Sequence, residues 1–324
     1  MDRSIINWGI IGCGDVTEIK SGPAFNKVPN SRLVAVMRRN AVKAKDYAQR
    51  HGVPKWYQNA DDLINDPDVN AVYIATPPLS HEEFTIKAMK AGKPVYVEKP
   101  MAITSDAAER IGQASKETGV KISVAHYRRQ QPLFLKIKEL LLQKIIGDVR
   151  IINLRLFQPH QSDMIAKTEV NWRIDPSISG GGLFYDLAPH QLDLMLYFFG
   201  SPGKTEGVSF NAAGYYAADD TTSGQIIFEN NILFNGVWCF TVPGKEDYCE
   251  MMGTGGKISF SIFDHQPLYI TIGKVQTTVE FDKLQHVQQP MIQKVVEYFL
   301  DQGPNPCSAS EGVEVMKMIE RITK

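Results

Sequence analysis

The sequence predicts an α/β protein in two parts, a doubly wound parallel sheet over residues 1–125 and a domain built on an antiparallel sheet over residues 126–324. Three observations predict it. Short apolar runs without polar alternation take turns with amphipathic stretches through the first third of the chain. A Gly12-Cys13-Gly14 turn follows the first of those runs. From about Ala125 the runs lengthen, begin to alternate and are joined by short polar turns. Strands covered on both faces are apolar throughout and need helical crossovers, whereas a sheet with one wet face alternates with period two.

The parallel strands are read at residues 5–11, 33–37, 71–75, 94–97 and 122–125. Helices over 41–51, 80–91 and 104–118 separate them, with Asn40 and Ser80 as caps and Gly52, Gly92 and Gly119 as stops. A helix over 132–144 then leads into alternating runs at 149–157, 225–228, 232–240, 248–252, 258–263, 268–272 and 275–281. Their links, such as Glu229-Asn230-Asn231 and Gly273-Lys274, have hairpin composition. A helix over 182–199 is inserted, and helices over 291–300 and 309–323 close the chain.

Composition removes several function classes. With 324 residues, 43% of them apolar, the chain can bury a core in each part. A formal charge of -1 makes no electrostatic case for nucleic acid or an anionic membrane as partner. No apolar run reaches the roughly 18 residues that a bilayer span needs. The polar start runs into the first strand without a basic region, so no export signal is expected. Cys13, Cys239, Cys249 and Cys307 have neither metal spacing nor the density of a disulfide scaffold. A reducing, cytoplasmic setting without a bound metal is the expectation.

The turn after the first strand is the candidate nucleotide site. Gly12 permits a tight turn, and Gly14 lets the N–H groups of Gly14, Asp15 and Val16 approach a pyrophosphate. The third glycine position holds Thr17, which costs helix–strand closeness or supplies a hydroxyl to the phosphates. At the end of the second strand, where an acidic residue would bind a ribose 2′-hydroxyl, the chain reads Met37-Arg38-Arg39-Asn40. A carboxylate would repel a 2′-phosphate and a guanidinium can grip one, so NADP(H) is favoured with NAD(H) as the alternative. Arg38 and Arg39 are equally what two solvated surface charges look like. Thr76-Pro77-Pro78 and Glu98-Lys99-Pro100 follow two further strands, where ligands of such sheets lie.

Here the chain resembles a known family. Trp8-Gly9-Ile10-Ile11-Gly12-Cys13-Gly14, Ala75-Thr76-Pro77 and Glu98-Lys99-Pro100 are similar to the Gfo/Idh/MocA oxidoreductases, as are Trp172-Arg173, Gly180-Gly181-Gly182 and Asp186-Leu187-Ala188-Pro189-His190 with Asp193. The resemblance implies an N-terminal Rossmann domain and a C-terminal α+β domain with a large open, mostly antiparallel sheet. It implies Lys99, Asp186 and His190 as the catalytic group, a cis Lys99–Pro100 peptide and a basic residue, Arg128, near the cofactor. Thr17 and Arg38 depart from the NAD-using members.

The residue types suit hydride transfer. His190 can take or give a proton near neutral pH, and Lys99 can stabilise a developing alkoxide. Asp186 lies one turn before His190 and can bind substrate hydroxyls or orient the imidazole. His81, beside the Thr76-Pro77 turn, joins the cofactor set, and Tyr127, Trp172 and Arg173 join the substrate set. A histidine beside Leu192, Leu194 and Leu196 is also what a core residue looks like, and His126 and Tyr127 are equally suited to structural roles. His160 reads as exposed loop punctuation. The family acts on sugars, polyols and related hydroxyl compounds, which implies such a small-molecule substrate here. Two alternatives stay open: redox-assisted glycoside elimination with a tightly held cofactor, and a non-catalytic nucleotide sensor. The resemblance also implies that an open sheet with one uncovered apolar face is covered by pairing subunits face to face, giving a homodimer or homotetramer through the C-terminal sheet.

Overall fold

The computed structural model describes residues 4–162 and 171–324. The chain begins with β1 (Ile6–Ile11), α1 (Asp15–Ile19), β2 (Ser31–Met37), α2 (Ala41–His51), β3 (Lys55–Tyr57) and α3 (Ala60–Asn65). It continues with β4 (Ala71–Ile74), α4 (His81–Lys90), β5 (Val95–Val97), α5 (Ser105–Thr118) and β6 (Ile122–Val124). These six strands make one parallel sheet in the order β3-β2-β1-β4-β5-β6. The direction of winding reverses between β1 and β4, the place where a doubly wound sheet leaves a crevice outside its strand ends.

Local chemistry explains the helix limits. Asn40 accepts from the Lys43 N–H at 3.1 Å and Thr104 from the Ala107 N–H at 3.2 Å, satisfying donors that the first turns of α2 and α5 leave orphaned. Gly52 and Gly119 take φ of +64° and +67° and end them. Ser80 does not cap α4 as expected. The chain is already wound as a 3-10 turn over Pro78–Ser80, and Ser80 itself has helical angles, so its side chain is not placed to cap. The sequence reading also passes over β3 and α3. β3 is a three-residue edge strand with Trp56 at the surface, and an edge strand lacks the apolar run that marks a central one.

The second part of the chain contains α6 (Pro132–Leu142), β7 (Val149–Phe157), α7 (Pro176–Ser179), α8 (Leu183–Phe199), β8 (Pro202–Phe210) and β9 (Thr221–Phe228). β10 (Leu233–Cys239), β11 (Glu246–Gly253), β12 (Lys257–Phe260), β13 (Leu268–Ile272) and β14 (Val275–Val279) follow, and α9 (Gln289–Phe299) and α10 (Ala309–Thr323) close the chain. The eight-stranded sheet runs β14-β13-β12-β11-β7-β10-β9-β8 and is antiparallel except where β10 pairs parallel to β7.

Its alternation is the predicted one. Leu154 and Leu156 of β7, Phe234 and Trp238 of β10 and Met251 of β11 point to the buried face. There Trp238 meets the Phe184 ring of α8 edge-on at 4.9 Å, and its indole N–H donates to Gln191 Oε1 at 2.6 Å. The opposite face is half-exposed and mixed: Ile151 and Phe157 of β7 and Leu233 and Val237 of β10 lie beside Arg155, which pairs with Glu246, and Lys257, which pairs with Glu250. β8 was not expected, because residues 202–210 are polar and largely exposed on an edge.

The expected cut between residues 125 and 126 is not the boundary of the compact units. One unit is Met1–Gln130 with Leu284–Met316, the other Gln131–Lys283 with Lys317–Lys324. The returning segment joins the first unit by burial. Phe299 packs on Trp8 with ring centroids 5.6 Å apart, in an aromatic core with Phe25, Tyr73 and Tyr96. Ser123 Oγ and the Val124 N–H both donate to Cys307 O. Burying a ring the size of Phe299 contributes roughly 1.5–3 kcal/mol, and no local pattern in residues 1–125 announces the partner that completes it.

Candidate active site

In the first unit the expected residues gather at the carboxyl ends of β1, β2, β4 and β5, which are neighbours in the sheet. Gly12 has φ of +96°, and a Cβ there would lie 2.8 Å from Thr76 N and 2.9 Å from Ala75 C and O. Only glycine lets the end of β1 come this close to the end of β4. Gly12 and Cys13 donate to Met37 O at 2.9 and 3.2 Å, which ties the turn to the end of β2. A Cβ on Gly14 would meet only Gly12 O, at 4.0 Å, so this side of the turn is open to a ligand. No side chain caps α1 behind it. The Thr76 hydroxyl is buried at the same strand end without a hydrogen-bond partner. A glycine cradle, an open approach and an orphaned hydroxyl fit a dinucleotide.

Several side chains do something other than expected. The Cys13 thiol lies in the core, and burial pushes it up to about 11, so the backbone is what Cys13 offers a ligand. The Thr17 hydroxyl is buried and donates to Gly14 O at 2.7 Å; it supplies nothing to phosphates and instead closes the turn. Gly22 packs closely on the end of α1, where a Cβ would lie 2.2 Å from Thr17 O. Asp15 is exposed and Val16 half-exposed at the start of α1. Arg38 is half-buried and its guanidinium reaches back to Cys13 O at 3.3 Å, whereas Arg39 is exposed.

The turns after β4 and β5 share a buried polar frame. Lys99–Pro100 is a cis peptide, as the resemblance implies. His81, 1% exposed, sets Nε2 2.7 Å from Thr76 O and Nδ1 2.9 Å from Pro100 O. Burial pushes this imidazole below its ordinary value, and the two carbonyls act in the opposite sense. The neutral ring can donate to only one of these carbonyls at a time and the imidazolium to both, so His81 lies between two turns, and its influence on a cofactor would pass through them. Glu98 is likewise buried, whereas Lys99 and Pro77 are half-exposed. Beyond β6, Tyr127 is buried and the half-buried Arg128 stacks its guanidinium 5.5 Å from the Tyr127 ring. Arg129 is buried and paired with Glu311, whose carboxyl is held below its usual range by the Arg129 charge against the opposing effect of burial. That pair is structural.

In the second unit the candidates lie around the start of α8. Asp186 is in its first turn and His190 one turn on, so both project from one face. Arg173, on a 3-10 turn over Trp172–Ile174, donates from Nε to Asp186 Oδ2 at 3.0 Å, and its guanidinium lies 4.4 Å over the Trp172 ring. Both charged side chains are 14% exposed. Arg173 and Trp172 thus anchor the Asp186 carboxylate. His190 is buried, with its ring edge-on to Phe263 at 5.8 Å. Gly182 takes φ of +82°, and a Cβ there would strike Ala218 Cβ at 2.5 Å, so the loop between β8 and β9 lies directly on the start of α8. On that loop Tyr215 faces His160 with ring centroids 4.7 Å apart. Sequence reasoning missed this pairing, which has no motif and joins segments far apart in the chain.

The parallel sheet and its glycine turn define a protein of the dinucleotide-binding class. A family model described as "Oxidoreductase family, NAD-binding Rossmann fold" matches residues 6–126, and its partner, "GFO/IDH/MocA C-terminal domain", matches 134–259. Oxidoreductase P35 of Formosa agariphila is 47% identical over 321 residues, covering 98% of each chain. The chain belongs to the Gfo/Idh/MocA oxidoreductase family. A 1,5-anhydro-D-fructose reductase of Ensifer adhaerens is 27% identical over 256 residues, 78% of this chain and 74% of that one. Among solved structures, a levoglucosan dehydrogenase in complex with NADH superposes with a TM-score of 0.89 at 22% identity, covering 98% of this chain and 95% of that one.

Proposed function

We propose that this chain is an NADP(H)-dependent oxidoreductase acting on a hydroxyl or carbonyl carbon of a sugar, polyol or sugar derivative, with Lys99, Asp186 and His190 as its catalytic group. The observation that carries the reading is that one chain holds both a half-exposed Lys99 on a buried, hydrogen-bonded turn of its dinucleotide-binding unit and, in its second unit, an Asp186 carboxylate anchored by Arg173 one helical turn from His190. The names of the anhydrofructose reductase and the levoglucosan dehydrogenase support a sugar-like substrate.

When bound, a nicotinamide supplies the site that accepts or donates hydride. The protein's own groups handle charge and protons. In the oxidative direction the His190 imidazole takes the hydroxyl proton, and the Lys99 ammonium stabilises the oxyanion that develops. In the reductive direction Lys99 polarises the carbonyl and His190 returns the proton. Asp186, immobilised by Arg173, offers its remaining acceptor capacity to a neighbouring substrate hydroxyl or to the imidazole.

The NADP(H) preference rests on Arg38. It sits against the Cys13 carbonyl at the end of β2, and no carboxylate occupies that strand end. Arg38→Asp is expected to weaken NADPH binding by about 30-fold or more while leaving NADH within about threefold, the size of one lost charge-assisted contact plus a repulsion. Unchanged NADPH affinity in a fluorescence titration would refute the assignment. We also propose that the half-exposed face of the eight-stranded sheet, which carries Ile151, Phe157, Leu233 and Val237, pairs with a second copy. The free thiols Cys13, Cys239, Cys249 and Cys307 support a reducing, cytoplasmic setting.

The test of function is a panel of sugars, polyols and their keto derivatives with each cofactor, followed by the near-ultraviolet absorbance of the reduced nicotinamide. Net substrate-dependent change, larger with NADP(H), is the expected result. Conversion of a glycoside without net change would sink the dehydrogenase reading in favour of elimination. Cofactor binding without conversion of any kind would leave a sensor.

A further inference from the structure

Glu98 is 5% exposed and lies in a hydrogen-bond network that neither the glycine turn nor the Asp-x-x-x-His motif reveals. Its Oε1 accepts from the Tyr73 hydroxyl at 2.5 Å and from the Gln288 amide nitrogen at 2.6 Å. Its Oε2 accepts from the backbone N–H of Lys99 at 3.1 Å. Gln288 is fully buried just before α9, more than 180 residues along the chain, and takes the Tyr96 hydroxyl on its own oxygen at 3.3 Å. A carboxylate only accepts, so the amide must present its nitrogen to Glu98 and its oxygen to Tyr96; the orientation is determined. The backbone N–H of Gln288 donates to Lys20 O, and the Tyr73 oxygen lies 3.2 Å from Ser21 Oγ, so the network also grips the chain just beyond α1.

A buried carboxylate is expensive, and the aromatic surroundings of Tyr73 and Tyr96 would accept an apolar side chain more cheaply. What the carboxylate adds is a hold on one peptide group, that of Lys99. We infer that Gln288 and Tyr73 are positioning residues which, acting through the Glu98 carboxylate, set the direction of the Lys99 turn for the reaction proposed above. The inference rests on that reading for the role of Lys99, but the mechanical claim is independent of it. Burial pushes the Tyr73 phenol well above its ordinary value, and the Glu98 charge pushes it further, so it stays a donor throughout the working pH range.

The test compares Gln288→Met, which keeps the volume and removes the donor, with Tyr73→Phe, which removes one oxygen. Two readouts are needed: steady-state kinetics, and hydrogen–deuterium exchange of the Lys99 amide in the full-length protein without cofactor. Each variant is expected to lower kcat about tenfold with KM and NADPH affinity within about threefold, and to speed Lys99 amide exchange about tenfold with the rest of the parallel sheet unchanged. Unchanged exchange at Lys99 in both variants overturns the inference, whatever happens to activity. Faster exchange with unchanged kcat overturns it too, by showing that the hold has no bearing on turnover. If no substrate on the panel reacts, the functional reading fails, and the exchange experiment alone still decides whether Gln288 and Tyr73 hold the turn.

Discussion

Lys99→Ala is expected to reduce kcat by about a thousandfold or more while NADPH affinity stays within about threefold. The reasoning starts from where the side chain begins. Its peptide N–H is held by Glu98 and its own residue is half-exposed at the carboxyl end of β5, while the backbone on either side is buried. A cation so anchored costs little reorganisation when charge develops on an oxygen near it, and that kind of preorganised stabilisation is the largest single contribution in many enzymes. In the proposed reading the glycine turn and Arg38 would hold the dinucleotide, through groups that Lys99→Ala leaves in place. Loss of kcat and of kcat/KM together is therefore the expected signature. Full turnover in Lys99→Ala would remove Lys99 from the catalytic group, and loss of cofactor binding instead of turnover would move it to the nucleotide site.

Gly12→Ala should be severely damaging to both stability and cofactor binding. The residue has φ of +96°, which costs an alanine about 1–2 kcal/mol by itself, and the new Cβ would sit 2.8 Å from Thr76 N and 2.9 Å from Ala75 C and O. Those are backbone atoms of the neighbouring strand end and cannot swing aside, so relief requires prising the β1 turn from β4. A total loss of about 3 kcal/mol or more is expected, with NADPH binding abolished in whatever folds. Gly14→Ala is the control. A Cβ there meets only Gly12 O at 4.0 Å, so stability should change little, while a dinucleotide approaching that open side would be obstructed. Thermal melts and fluorescence titrations of the two variants distinguish these outcomes. A Gly12→Ala protein with wild-type melting and affinity would contradict the close strand approach.

Much of this was legible along the chain. The order of strands and helices in the first part, the limits of α2 and α10, the sheet alternation of β7, β10 and β11 and the positions of the Gly12 and Lys99 turns all follow from local patterns. The misses have a common cause. β3 and β8 are edge strands with one free side, so their composition is polar and carries no apolar signal. Ser80 has the composition of a cap but the backbone angles of a helix. Thr17 has the composition of a phosphate ligand, but its hydroxyl is turned inward to Gly14 O.

Residue types and their periodicity thus determined the two-part α/β architecture, the glycine turn, the Lys99 turn and the Asp186–His190 helix face, since each depends on neighbours within a few residues. Tertiary structure alone decided that Gln288 and Tyr73 meet at Glu98, that Arg173 anchors Asp186, that His81 spans two carbonyls, and that residues 284–316 complete the first unit. Such contacts unite atoms from distant segments. Glutamine and tyrosine are spread through every protein, and what makes these particular ones matter is the burial and convergence that only the folded chain creates.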